Sequence, residues 1–236
     1  YLLVESSSFF SCKTSSGYGG AIFFENGNGQ CVLHEICGFD CCSTYTSSSS
    51  CCQFVYIYVN DAASSKNYIN YSSIVRCVNV NSNSYYTIRL QYGRVCCPSV
   101  NISMNECQYY SGIYSNPRQD PNSFTGLFSY CSITDNIANG HTCIWSWWGN
   151  INIEFKSCNI LRNTQGTLSS GGTIYTHDNL NILDSCILEN KATYIFNQAY
   201  SSNRVTVSNC TLDSTSKTGN VVIQSIATKS FIHALN

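Results

Sequence analysis

The chain has 236 residues, of which 43% are hydrophobic and only 11% are charged, and its formal net charge is −1. This near-neutral charge, with no basic stripe, excludes binding that depends on neutralising nucleic-acid phosphates. No run of about 18 apolar residues occurs, so nothing in the sequence predicts a transmembrane helix. Ser, Asn, Thr and Tyr take the place of charged residues, and they favour strands and turns over helix.

Along the chain, short runs rich in β-branched and aromatic residues alternate with clusters of Gly, Ser, Asn and Pro. The runs predict strands and the clusters predict turns. Two segments interrupt this pattern. The Cys-rich segment 31–52 is predicted to be a loop insertion pinned by disulfides. Segment 109–123, which contains Pro117 and Pro121, is predicted to be a loop excursion from one coil.

Five segments between Val100 and Asp213 share a pattern of alternating apolar residues, one or two polar residues and a single cysteine. With two earlier positions in the same frame, the periodic cysteines are Cys12, Cys77, Cys107, Cys131, Cys158, Cys186 and Cys210. From Cys77 onward they recur every 24 to 30 residues. Such a period predicts stacked repeats, each too small to bury its apolar face alone.

One period accommodates three short strands and three turns. This predicts an all-β fold, a parallel β-helix with triangular coils, rather than a leucine-rich repeat, whose leucine signature is missing. The 236 residues would form eight to nine coils in a single domain, 1–236. The chain opens without Met and stops in the apolar run FIHALN, with no polar cap. Since solenoids need capped ends, we expect a piece of a longer ectodomain.

The sixteen cysteines fall into two groups. The periodic group is interpreted as stacked, buried free thiols, because bridging neighbouring layers would strain a regular ladder. The second group occupies irregular segments and provides the candidate loop disulfides, among Cys31, Cys37, Cys41, Cys42, Cys51, Cys52, Cys96, Cys97 and Cys143. Zinc is the less favoured alternative, because paired C-x-x-C spacing is absent. Disulfides, with possible glycosylation at Asn70, Asn101 and Asn209, indicate an extracellular protein.

The run GYGGAIFFEN carries a recognisable motif, formed by Gly19, Gly20, Ala21 and Ile22, then Phe23 and Asn26. It resembles the paired GGA[ILV] and FxxN motifs of polymorphic membrane proteins, bacterial surface proteins built as right-handed parallel β-helices. The segments QCVLHEICGFDCCS, KNYINYS, EFKSCNILRNTQG and KSFIHALN resemble the related surface proteins of trichomonad parasites. The resemblance implies a secreted, right-handed β-helical ectodomain that attaches to host cells, with a membrane anchor outside this segment.

Catalytic signals are weak. The thirteen acidic residues are scattered singly, whereas glycoside hydrolysis needs facing carboxylates and a calcium-dependent lyase needs clustered ones. His177 and Asp178 could form a base with its orienting acid, although a polar turn is the favoured interpretation. Trp145, Trp147 and Trp148 could form a sugar-stacking platform, but a place for Trp145 and Trp147 in the core is favoured.

We therefore expect a non-enzymatic cell-surface adhesion protein, without cofactor or metal, that presents loops on a rigid rod. Its expected partners are a host-cell or matrix protein or glycan, or neighbouring copies of itself, and not nucleic acid. The alternatives are a carbohydrate-active enzyme of pectate-lyase-like fold, and a structural filament component that assembles end to end.

Overall fold

The computed structural model describes residues 1–15, 17–45, 52–78, 85–140, 142–147, 149–166 and 171–227. These residues form thirty short strands, numbered β1 to β30 in chain order, and every strand pairing is parallel. In these ranges no helix is long and apolar enough to cross a membrane.

Three long sheets run side by side along the molecule. The first sheet contains β1 (Leu2–Glu5), β5 (Cys31–His34), β9 (Lys66–Asn70), β12 (Arg94–Pro98), β16 (Gly126–Ser129), β20 (Asn152–Lys156), β24 (Asn179–Leu183), β27 (Val205–Ser208) and β30 (Val221–Ile223). The second contains β2 (Ser8–Phe10), β6 (Cys37–Phe39), β10 (Ser73–Val75), β13 (Asn101–Ser103), β17 (Ser132–Thr134), β21 (Asn159–Leu161), β25 (Cys186–Leu188) and β28 (Thr211–Leu212).

The third sheet contains β4 (Ile22–Glu25), β8 (Cys52–Tyr58), β11 (Tyr86–Gln91), β15 (Tyr110–Asn116), β19 (Thr142–Ser146), β23 (Gly172–Thr176), β26 (Phe196–Gln198) and β29 (Lys217–Thr218). Two small sheets fill the corner before it: β3 (Lys13–Thr14) with β7 (Cys42–Ser43), and β14 (Glu106–Cys107), β18 (Ile137–Ala138) and β22 (Thr164–Gln165). The chain visits the three long sheets in turn, so each circuit adds one strand to each. This confirms the predicted parallel β-helix with three strands per coil.

Alternation along each strand places like residues above one another in the core. In the second sheet, the buried residues in successive register are Ile74, Ile102, Ile133, Ile160 and Ile187. In the third sheet they are Val55, Ile88, Ile113, Ile144, Ile174 and Phe196. Burial of each such side chain stabilises the fold by about 1.5–3 kcal/mol relative to exposure. The rod is therefore held together by columns of apolar side chains along its axis.

Two corners of the coil contain non-glycine residues with positive φ. The corner between the first and second sheets has Ser6, Glu35, Tyr71, Ser99, Tyr130, Ser157, Asp184 and Asn209. The corner after the second sheet has Ser11, Asp40, Arg76, Met104, Asp135, Arg162 and Glu189. Their amides still donate to the next coil, as from Tyr71 to the Pro98 carbonyl (2.9 Å) and from Tyr130 to the Lys156 carbonyl (3.0 Å). Repetition of these bonds in every layer offsets the steric cost of the left-handed conformation.

The residue after the second corner forms a buried asparagine ladder, which the sequence interpretation missed. The ladder consists of Asn105, Asn136, Asn163 and Asn190. The side-chain amide nitrogens of the first three each donate to the Oδ1 of the next asparagine at 3.0 Å, whereas that of Asn190 donates to the Leu188 carbonyl at 3.2 Å. Each also donates to a backbone carbonyl of the preceding coil, as from Asn136 to Ile102 at 2.9 Å. The sequence does contain a signal for this ladder, because the four asparagines recur at intervals of 31, 27 and 27 residues.

Both segments predicted to be loops contain strands. Segment 31–52 includes β5, β6 and β7 and the start of β8, because the alternation in CVLH is that of a half-buried strand. Strand β15 covers seven of the residues in segment 109–123, and the irregular part begins at Pro117. Clusters of cysteine, serine and proline therefore misled the sequence interpretation at both places.

The GGAIFFEN motif has a steric explanation. A Cβ at Gly19 would collide with the Ile22 carbonyl, and a Cβ at Gly20 with the Gln53 carbonyl. Ile22 then begins β4 with its side chain buried, while Phe23 lies on the opposite, exposed side. Asn26 follows the strand, and its Oδ1 accepts a hydrogen bond from the Asn28 amide at 3.0 Å.

Substitution of Gly20 by Ala is expected to lower the free energy of unfolding by about 2 kcal/mol, because backbone of two neighbouring layers must move to admit a methyl group. Gly27→Ala is the matched control, since a Cβ there meets nothing within 4 Å. Urea unfolding followed by circular dichroism measures both. Equal midpoints for the two variants would contradict the steric explanation.

Candidate functional site

Strands of the third sheet carry aromatic residues on the face directed away from the core. Alternate residues such as Ile88 and Leu90 belong to the main core, whereas the residues between them form a separate cluster. In register across six strands this outward column reads Phe23, Tyr56, Arg89, Tyr114, Trp145 and Tyr175. Tyr86 and Tyr110 lie beside the column, and Trp147, His177 and Tyr200 continue it. We call these residues the aromatic face.

The rings of the aromatic face stack on one another from coil to coil. The ring centroids of Tyr86 and Tyr110 lie 5.1 Å apart with 16° between their planes. Those of Tyr110 and Trp145 lie 4.1 Å apart with 14° between planes. Aromatic pairs of this kind contribute about 0.5–1.5 kcal/mol each beyond burial of their area. The result is a closely packed cluster on the outer side of the sheet, in which these three rings are each less than 10% exposed.

Arg89 occupies the one non-aromatic place in the middle of the column. Its guanidinium carbon lies 5.1, 4.9 and 5.3 Å from the ring centroids of Tyr56, Tyr86 and Tyr114. Its Nε is buried and has no hydrogen-bond partner. Within the described ranges the ion pairs are His34–Glu35 and Arg162–Asp135, and neither involves Arg89. The tyrosine rings stabilise this cation by their quadrupoles, but no described carboxylate neutralises it.

Two amide side chains share the outer face with Arg89. Gln91 and Asn116 are register partners, each two residues beyond a member of the column. Gln91 accepts a hydrogen bond from the Tyr56 hydroxyl at 3.0 Å. Asn116 is fully buried, yet neither its amide nitrogen nor its amide oxygen has a partner. Buried polar atoms are rarely left unpaired, so Asn116 provides an unused donor and acceptor beside the aromatic face.

The end of the aromatic face beyond Trp145 is open to solvent. Trp147 is 43% exposed and Tyr200 is 53% exposed. The ring of His177 lies between them, 4.2 Å from Trp147 and 5.9 Å from Tyr200 by centroids. Its Nε2 is 2.9 Å from the Tyr175 hydroxyl. Burial lowers the pKa of His177, which keeps the ring neutral at pH 7.

The tyrosine hydroxyls of the face are protonated at neutral pH. Burial raises the pKa of Tyr56 to about 12 and that of Tyr114 to about 12, and the neighbouring Arg89 only partly opposes this. Burial also raises the pKa of Tyr86 and Tyr110. The aromatic face therefore combines neutral hydroxyls and one guanidinium with two buried amides, all embedded in aromatic rings.

One interpretation of single residues needs revision, and another agrees with the structure. A core position was favoured for Trp145 and Trp147, but both side chains lie on the outer side of the third sheet, because alternate residues of a strand point to the same side. Trp145 is buried there in a hydrophobic cluster separate from the main core, whereas Trp147 is exposed. Trp148 lies outside the described residues. His177 and Asp178 lie in a bend after β23 and point to different surroundings. His177 contacts the aromatic face, whereas the buried Asp178 carboxylate accepts from the Ile151 amide at 3.3 Å. This agrees with the favoured interpretation, a polar turn between strands, and not with a base and its orienting acid.

The periodic cysteines occupy several columns rather than one. Cys131, Cys158 and Cys210 follow the first corner, and Cys12 and Cys77 follow the second, where Cys41 joins them. Cys107 ends β14 and Cys186 begins β25. All of the periodic cysteines except the half-buried Cys12 are buried.

The candidate loop disulfides are not present among the described cysteines. Cys31, Cys37, Cys42, Cys52, Cys96, Cys97 and Cys143 lie within strands, and Cys41 lies at the second corner. No two of the fifteen described cysteines are joined by a disulfide, and Cys51 lies outside the described residues. Burial raises the pKa of Cys31 and of Cys143 to about 12, so these thiols are protonated and unreactive.

The three glycosylation sequons differ in accessibility. Asn209 is exposed at the first corner, where its side chain donates to Asp184 at 2.7 Å. Asn70 and Asn101 are half-buried at strand ends, and Asn101 donates to the Ser73 hydroxyl at 3.0 Å. Asn209 is therefore the most accessible acceptor of the three.

In the part of the chain that the structure describes, no three His, Cys, Asp or Glu side chains converge as a metal site. His141 and His233 lie outside that part. No family model, curated protein or solved structure matches the chain. The candidate site thus rests on the geometry of the aromatic face alone.

Proposed function

We propose that the chain is part of a non-enzymatic, extracellular adhesion protein, in which a β-helical rod presents the aromatic face to a ligand on a host cell or in the matrix. The observation that carries this proposal is the column of rings on the outer side of a regular sheet, which packs closely at its centre and leaves Phe23, Trp147 and Tyr200 exposed. Exposed large apolar side chains that adjoin such a cluster are expected where a partner binds. Tyr, Trp and Arg are also the residues most enriched among those that dominate binding energies.

The rod itself suits this role. A parallel β-helix repeats the same outer positions every coil, about 4.8 Å apart, and so offers a long, flat surface to an extended ligand. The low charge of the chain favours contacts through rings, hydroxyls and amides over electrostatic attraction. The GGAIFFEN motif supports membership of the polymorphic-membrane-protein-like surface proteins, which would place the rod on a cell surface.

Removal of the exposed end of the aromatic face tests the proposal. Microspheres coated with the purified chain are expected to attach to cultured epithelial cells or to matrix-coated wells. The double variant Trp147→Ala, Tyr200→Ser is expected to lose most of this attachment. Because both side chains are exposed, its free energy of unfolding should change by no more than about 1 kcal/mol.

Tyr130→Ser is the matched control, because Tyr130 is 51% exposed at the first corner, away from the third sheet. It should attach as the unmodified chain does. Equal attachment by the double variant, or none by the unmodified chain above bare microspheres, would refute the adhesive role of the face.

A further inference from the structure

Arg89 is the feature of the aromatic face that adhesion through rings alone does not explain. A guanidinium is always charged and presents its N–H donors in a planar fork. In the described residues Arg89 donates no hydrogen bond to the protein and has no acidic side chain within ion-pair distance. Tyr56, Tyr86 and Tyr114 hold it in place without using its terminal donors. The site thus has a fixed, half-buried cation whose terminal donors are available to an anion.

The neighbours of Arg89 indicate what carries that anion. Asn116 is fully buried with both amide atoms unpaired, and Gln91 lies next to it in register. Planar amides and phenol hydroxyls among aromatic rings suit a ligand with many hydroxyl groups and apolar C–H surfaces. A peptide would gain most by pairing its backbone with an open sheet edge. Here β8, β11, β15 and β19 are each paired on both sides, so the centre of the face offers no edge.

We propose that the aromatic face binds an acidic saccharide chain, with the Arg89 guanidinium paired to a carboxylate or sulfate group and the sugar rings lying on the aromatic side chains around it. The proposal rests on the proposed function, because it specifies the ligand of the same face. A bidentate guanidinium–anion pair is strong where water is partly excluded. The repeat of the face, one side chain per coil at about 4.8 Å, suits a polymer better than a compact ligand.

The test uses the unmodified chain and four polymers in biolayer interferometry: dextran, dextran sulfate, hyaluronan and poly-L-glutamate. Dextran and dextran sulfate share one backbone and differ only in the anionic group. We expect binding to dextran sulfate or hyaluronan, and these two distinguish a sulfate from a carboxylate as the preferred anion. Equal affinity for dextran and both acidic polymers would overturn the proposal. So would affinity for poly-L-glutamate as high as for the acidic saccharides, which would indicate an acidic peptide ligand.

Arg89→Gln keeps a planar amide but removes the charge, and it should weaken binding of the preferred polymer by about tenfold or more, the loss typical of a hydrogen bond to a charged group. Arg204→Gln removes an exposed arginine elsewhere and should bind as the unmodified chain does. Equal losses in both variants would show non-specific charge attraction and overturn the proposal. If Arg89→Gln binds normally while the Trp147, Tyr200 double variant loses cell attachment, the acidic-saccharide proposal fails and the adhesive function stands.

Discussion

Replacement of Asn136 by alanine is expected to lower the free energy of unfolding by about 4 kcal/mol, the largest effect of any single substitution considered for this chain. Asn136 donates to the Ile102 carbonyl at 2.9 Å and to Asn163 Oδ1 at 3.0 Å. Its own Oδ1 accepts from the amide and from the side chain of Asn105, at 3.1 and 3.0 Å. The substitution removes four buried bonds and leaves their partners without water, which costs more than the bonds alone.

Asn139→Ala is the matched control. Asn139 lies three residues away, is exposed, and makes a single side-chain bond to Glu106 at 3.2 Å. Its loss should change the free energy of unfolding by no more than about 0.5 kcal/mol. Urea unfolding followed by far-ultraviolet circular dichroism, with reductant to keep thiols reduced, measures both variants. If Asn136→Ala were no less stable than Asn139→Ala, the ladder would contribute little to the rod.

The stability of the chain is expected to fall as pH rises from about 4 to about 6, because of Asp178. This carboxyl is fully buried, one of its oxygens has no partner, and burial raises its pKa from 3.8 to about 6. Between these values the folded chain retains a proton that the unfolded chain has released. The folded state therefore binds more protons, and each pH unit costs about 1.4 kcal/mol, so the total loss is about 3 kcal/mol. Above about pH 6 the Asp178 contribution is constant.

Asp178→Asn should remove this dependence, because an amide does not ionise. The variant is expected to match the unmodified chain near pH 4 and to exceed its stability by up to about 3 kcal/mol at pH 7. Asp61→Asn, at an exposed position, should keep the slope of the unmodified chain. Urea midpoints from pH 4 to pH 8 would settle the matter. A slope that survives in Asp178→Asn would assign it to other groups.

The coil architecture could be predicted from sequence because the alternation of apolar residues and their repeat near 27 residues can both be read directly along the chain. The same signals do not show which of the two alternating sets of residues in a strand faces the core. Trp145 and Trp147 belong to the same set in their strand. The register that aligns Trp145 with Tyr175, Tyr114 and Arg89 places that set on the outer side. The aromatic face therefore became visible only once strands distant in sequence lay side by side.

The cysteine and asparagine columns show a second limit. Cys131 and Cys158 follow the same corner, but Cys186 lies one residue further on, behind Ser185. Spacing alone cannot detect a shift of one residue when insertions between coils vary by several. The asparagine ladder was missed because asparagine is abundant throughout the chain, which hides four functional repeats among many turn residues.

The asparagine ladder also allows the length of the rod to change by whole coils during evolution. Asn105 is hydrogen-bonded to Asn136 in the same way as Asn136 is to Asn163, so the asparagine of any coil can pair with that of any other. Removal of the 27 residues from Asn136 to Arg162 would bring Asn163 onto Asn105 with the same chemistry. Gene duplication or loss of one layer would then lengthen or shorten the rod by one coil without redesigning the interior.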